Sequence, residues 1–182
     1  MKKYVNLGLI IASSAILFTG CGIKSSEYSA SAQNVQTLKK YKNTKIGVSS
    51  FSAKNPGQHS TLCRLAETIT TPNDESYETY IEKALKEELM MAGLYDEKSK
   101  IKINGYLEEV VGSSMLGDAY WKFKIKVSSS NGEEFTVTTK KDYSSSFLAY
   151  TACNNMGSTF QPSVKQLITD IINDERFASL LK

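Results

Sequence analysis

The sequence predicts an α+β fold. It reads as a single small domain in the order β-α-β-β-β-α, with a mostly antiparallel sheet of about four strands packed on helices. Three observations carry this. Trp121, Phe123, Ile125 and Val127 alternate strictly with Lys122, Lys124 and Lys126, and Asn131-Gly132 follows as a hairpin turn. Tyr77, Tyr80, Ile81, Ala84, Leu85 and Leu89 recur at helical spacing. Val164, Leu167, Ile168, Ile171 and Ile172 make a second helical stripe.

Taken in order, the chain begins with Met1-Lys2-Lys3, a positive start, followed by an uncharged, mostly apolar run from Val5 to Phe18. That run is short for a membrane span, which needs about 20 apolar residues, and it ends abruptly in small residues. It reads as a signal peptide over residues 1–20. Leu17-Phe18-Thr19-Gly20-Cys21 resembles the bacterial lipobox, which implies cleavage before Cys21 and lipid attachment at that cysteine. Phe18 stands where lipoboxes most often have Leu. The other readings are a plain secretory leader or one N-terminal membrane helix. Gly22 in place of Asp after the cysteine resembles the enterobacterial pattern for sorting to the outer membrane. Each buried methylene of an acyl chain contributes roughly 0.8 kcal/mol to attachment.

Residues 21–44 are rich in Ser, Lys and Asn and show little apolar periodicity, so they read as the lipidated N-terminus and a flexible tether. The globular domain is expected over 45–182. Lys45 to Phe51 alternates, as a first strand. Ala53 to Asn73 holds Pro56, Gly57 and Pro72 and reads as a long connection carrying Cys63.

Asp74 to Ala92 is the clearest helix, with Asp74 or Ser76 as N-cap and Gly93 ending it. Its polar face holds Glu78, Glu82, Lys83, Lys86 and Glu87, read as solvated, with Glu82 and Lys86 as an i,i+4 pair. In Lys100 to Val111, the residues Ile101, Ile103, Leu107 and Val111 share one parity, and Gly105 marks a bulge or a close contact. Phe135, Val137, Thr139 and Tyr143 form the returning strand after the hairpin. Phe147 to Asn155 reads as helical or irregular, and Pro162 suits the first turn of the final long helix. Asp174 is placed to cap a last short helix with Phe177, Leu180 and Leu181.

The 182 residues fall to 162 when the leader is removed, and the formal charge falls from +3 to +1 with the loss of Lys2 and Lys3. That balance gives no bias toward nucleic acid. With Cys21 taken by lipid, Cys63 and Cys153 remain of the three cysteines. In an oxidising envelope compartment they are expected to pair as a disulfide, the alternative being two separate buried thiols.

The segments Tyr80-Ile81-x-x-Ala84-Leu85-x-x-Glu88-Leu89-x-x-Ala92-Gly93, Gly105-x-Leu107, Ser129-Ser130-Asn131-Gly132, Ala152-Cys153-Asn154, Phe160-x-Pro162 and the stretch from Ile168 to Phe177 give the chain a likeness over about residues 46–180. It resembles outer-membrane lipoproteins of the YajG type and, more distantly, auxiliary lipoproteins of ABC transport systems. It is also similar to an uncharacterised family of proteobacterial lipoproteins with a C-terminal Ala-Cys-Asn segment. The cysteine pair departs from the YajG pattern. The resemblance implies a fold and a location, and brings no catalytic residues.

His59 is the single histidine, on a Ser-rich stretch without a G-x-S-x-G sequence, and no second His or Cys cluster accompanies it. The expectation is therefore a protein that is not an enzyme, with no metal or cofactor. It would be lipid-anchored in the outer membrane, more on the periplasmic face than the cell surface. It would act by protein contact as an accessory of an envelope transport or assembly complex. Two other readings are a lipid- or glycan-binding lipoprotein using Lys122, Lys124 and Lys126, and a surface-exposed adhesin. A solvated, charge-balanced face is the more ordinary reading of those lysines, with Glu108, Glu133, Glu134 and Asp142 as the balancing acids.

Overall fold

A computed structural model describes residues 22–65 and 67–182. The expected signal peptide and Cys21 lie outside the described residues. The chain runs β1 (Ile23–Lys24), α1 (Ala32–Leu38), a 3-10 turn, β2 (Gly47–Val48), β3 (Ser52–Ala53), β4 (Ser60–Cys63) and β5 (Glu67–Thr70). Then come α2 (Tyr77–Met91), β6 (Lys102–Met115), β7 (Asp118–Ser129), β8 (Glu134–Asp142), α3 (Ala149–Asn173) and a 3-10 helix over Glu175–Leu181.

The main sheet has five strands in the order β2-β6-β7-β8, with β3 also pairing β6. The β6, β7 and β8 strands are antiparallel, and β2 and β3 lie parallel to β6. This is the α+β architecture expected from the sequence, with α2 and α3 covering one face. Trp121, Phe123, Ile125 and Val127 are fully buried on that face.

Phe160 of α3 is the centre of the packing. Its ring centroid lies 5.0 Å from Trp121, 5.1 Å from Tyr80 and 5.6 Å from Tyr77. The Trp121 indole N–H, which would be costly to bury alone, donates to Met156 O at 2.9 Å.

Several expectations are corrected. The flexible tether over 22–44 does not exist as such: β1 and α1 are part of the domain, and Asn34 and Leu38 are fully buried. A seven-residue helix is too short to show an apolar stripe, and its attachment is largely polar. The Ala53–Asn73 connection contains β4 and β5, which form a second sheet in the order β1-β5-β4. Only Ile69 and Cys63 of those two strands are buried, so they carry almost no apolar alternation.

Pro162 lies well inside α3, not at its start. The cost of an interior proline, about 3 kcal/mol, is offset because Ala152, Cys153, Met156 and Phe160 continue the same buried stripe toward the N-terminus. The β6 register shifts between Leu107 and Glu109. That bulge moves Val110, not Val111, opposite Phe123. Gly105 is the expected close contact: a Cβ there would stand 2.6 Å from the Phe51 ring.

Other local readings hold. Ser76 caps α2, Gly93 follows it at φ 72° and Gly132 turns the hairpin at φ 90°. Asp174 caps the terminal 3-10 helix, with Phe177 and Leu180 fully buried. Replacing Phe160 with Ala removes the shared partner of four aromatic rings, Tyr77, Tyr80, Trp121 and Phe123. A loss of about 3–5 kcal/mol is expected, read from urea unfolding. A loss well under 1 kcal/mol would show that the cluster does not organise the core.

Candidate functional site

Because the sequence contains no catalytic signature, the candidate sites are surfaces and anchoring points. The first is the seat of the N-terminal segment. Glu88, in the last turn of α2, is fully buried. Its Oε1 accepts from the Tyr28 hydroxyl at 2.6 Å, Ser31 N at 2.9 Å and Asn34 Nδ2 at 3.0 Å. Asn34 Oδ1 in turn accepts from Thr169 Oγ1 of α3 at 2.9 Å. Burial, and then the Glu88 bond, push the Tyr28 phenol far above the usual tyrosine range, so it stays a donor.

The acidic face of α2, expected to be solvated, does related work along its length. Glu78 accepts from Gly57 N, Glu82 from Phe51 N and Glu87 from Ala30 N, each at 2.9 Å. Glu82 is thus engaged by the β3 side of the fold, and Lys86 lies over the Tyr95 ring at 5.0 Å. Glu88 could have been found in the sequence only as an acid at the edge of the apolar stripe, beside Leu85 and Leu89.

A cleft of about 220 Å³ opens beside this seat, lined by Glu27, Tyr28, Glu75, Tyr80, Lys83 and Glu87 among others. Tyr28 and Tyr80 meet edge to face at 6.3 Å, Tyr80 donates to Ser26 O at 3.0 Å, and Lys83 pairs with Glu75. The cleft is therefore bounded by groups that already have partners.

Cys63 and Cys153 are joined as a disulfide, with Cα atoms 5.6 Å apart. It ties the end of β4 to the first turns of α3. Beside it, Arg64 Nε donates to Ser114 O at 3.0 Å and Nη2 to Ser146 O at 2.9 Å. Ser145 Oγ also donates to Ser114 O at 2.7 Å.

The lysine row lies on the outer face of the main sheet, each member paired. Lys122 meets Glu109 at 2.8 Å, Lys124 meets Glu108 at 2.7 Å and Lys126 meets Glu134 at 3.4 Å. The hydrogen bond that the Lys124 ammonium donates to Glu108 holds it above the usual lysine range. Exposed pairs of this kind add little stability, typically under about 1 kcal/mol, but they cancel the charge an anionic ligand would need. His59 Nδ1 lies 3.2 Å from Gly57 O. Among the described residues no group of three or more His, Cys, Asp or Glu is placed to hold a metal ion, and no helix is long and apolar enough to cross a membrane.

No family model matches the chain. No curated protein matches it either. Among solved structures it is similar to protein XCC0632 of Xanthomonas campestris, a DUF330 protein from a proteobacterium. The identity is 13%, the match covers 71% of this chain and 81% of that one, and the TM-score is 0.50. At that identity the likeness is one of fold.

Two substitutions test the anchoring. Glu88→Ala leaves three donors without their acceptor and is expected to cost about 3 kcal/mol, with faster amide exchange at Ser31. Glu88→Gln keeps an acceptor and should cost less. An Ala variant with unchanged exchange at Ser31 would mean that the segment is held elsewhere. Replacing Cys63 and Cys153 together with Ala should cost about 4–5 kcal/mol, the chain-entropy value for a loop of this length, measured by denaturant unfolding.

Proposed function

We propose that this chain is a lipid-anchored protein of the bacterial cell envelope that acts by protein contact, as an accessory of a transport or assembly complex. The observation that carries the reading is the lipobox-like Leu17-Phe18-Thr19-Gly20-Cys21, which stands directly before the folded domain. Gly22 already lies against Thr68 O, and Ile23 pairs with Ile69. Acyl chains at Cys21 would hold the domain close to the bilayer, without a long spacer.

The resemblance to outer-membrane and transport-auxiliary lipoproteins supports the outer membrane, on its periplasmic face, as the place of work. A fold shared with a proteobacterial protein is in keeping with that origin. Binding of a lipid or glycan by the lysine face has less support, because Lys122, Lys124 and Lys126 already have carboxylate partners.

Cys21→Ala is expected to release a folded domain from the membrane fraction. Retention in that fraction would overturn the anchor. Crosslinking in intact cells at native expression should retrieve one reproducible envelope protein, and recovery of monomer alone would overturn the accessory role.

A further inference from the structure

Three segments meet at one end of the molecule: the turn after β4, the end of β6 and the entry to α3. Arg64 clamps them through Ser114 O, Ser145 Oγ and Ser146 O, and the Cys63–Cys153 bond joins the first to the third covalently. The chain neighbours of that clamp point outward. Leu65 is 91% exposed and Phe147 85%, and Met115, Leu116, Leu148 and Tyr150 are exposed as well. Isolated apolar residues on a surface need no explanation, but a group gathered on one rigid clamp marks a contact face.

Two features identify what covers it. The first is charge. Residues 110–117 and 143–164 contain no charged side chain, and the Arg64 guanidinium is engaged by three oxygens. Leu, Met and Phe with a Tyr ring are the composition of a surface that sits at a headgroup–acyl boundary.

The second is where the chain enters. β1 runs parallel to β5, with Ile23 opposite Ile69, and β5 starts at Glu67, the partner of Cys63. Gly22 stands against Thr68 O. The entry point is therefore on the same end of the small sheet as Arg64 and Leu65. Cys21 directly precedes Gly22 in the chain.

We propose that this apolar apex is the membrane-contacting face of the domain, seated in the phospholipid leaflet that holds the Cys21 acyl chains. The proposal rests on the lipid-anchored reading of Cys21. It fixes an orientation: the anchor gives one point of attachment and the apex a second, so the domain cannot pivot freely. The β7 strand leads away from the apex for roughly 40 Å at the usual strand rise. The Asn131-Gly132 turn at its far end then faces away from the bilayer, toward a partner.

The test uses the full-length lipidated protein in vesicles of phosphatidylethanolamine and phosphatidylglycerol with brominated acyl chains. Leu65→Trp and Phe147→Trp place probes on the apex, and Tyr106→Trp places one on the outer sheet face. Trp121 is fully buried and gives a constant background. The expected result is loss of the emission added at positions 65 and 147, with the emission added at 106 retained. Mass spectrometry of the N-terminal peptide reads the acyl chains independently.

An unmodified Cys21 removes the anchored reading and this proposal together. An acylated protein whose probes are all unquenched, or all quenched alike, removes the apex alone. A blue shift at 65 and 147 that depends on protein concentration, not on vesicles, assigns the face to a second copy of the chain and overturns the proposal.

Discussion

One buried carboxyl group holds the architecture in its observed form. Glu88 lies fully buried in the last turn of α2, where an acid without partners would cost several kcal/mol. Its Oε1 is compensated by three donors, all from the segment between Tyr28 and Asn34, while Oε2 is buried without a protein partner. The segment is needed by the acid as much as the acid is needed by the segment. Through Asn34 and Thr169 the same network reaches α3, so the three helices are registered against one another by hydrogen bonds as well as by apolar contact.

This constraint changes the mechanical picture of the N-terminus. A tether would let the domain wander above whatever the chain is attached to. With β1 in the small sheet and α1 seated on α2 and α3, attachment near Gly22 acts on a rigid body. Ile23 reinforces this from the apolar side: it packs so closely on α3 that a Cβ at Gly157 would stand 2.7 Å from its Cγ2. The chain entry at Gly22, the disulfide and the Arg64 clamp lie at one end of the molecule, and the aromatic cluster around Phe160 fills the space between helices and sheet.

Legibility in the sequence followed the range of the interaction. β7 was clear because Trp121 to Val127 alternate within one strand, and α2 because its stripe repeats within one helix. The cystine was within reach of counting, once Cys21 was set aside. Glu88 was not, since an acid on a charged helix has nothing local to distinguish a solvated side chain from one that receives three hydrogen bonds from residues more than fifty positions away. The short strands β1, β4 and β5 leave no local signal for a similar reason. With two to four residues each, they owe their existence to pairing and to the disulfide, not to their own pattern. Pro162 misled in the opposite direction: a strong local signal for a helix start was overridden by the buried stripe on both sides of it.

The sequence by itself determined the α+β class, the long hairpin, the faces of α2 and of the C-terminal half of α3, and the cysteine pair. Periodicity, turn chemistry and residue counts are properties of the chain alone. Only the tertiary structure decided that residues 22–44 belong to the domain, that the acids of α2 face backbone donors, that the lysines of β7 are matched by acids, and that scattered apolar residues gather at one end. Each of these depends on groups brought together from distant positions, and no local pattern records which partner a side chain will meet.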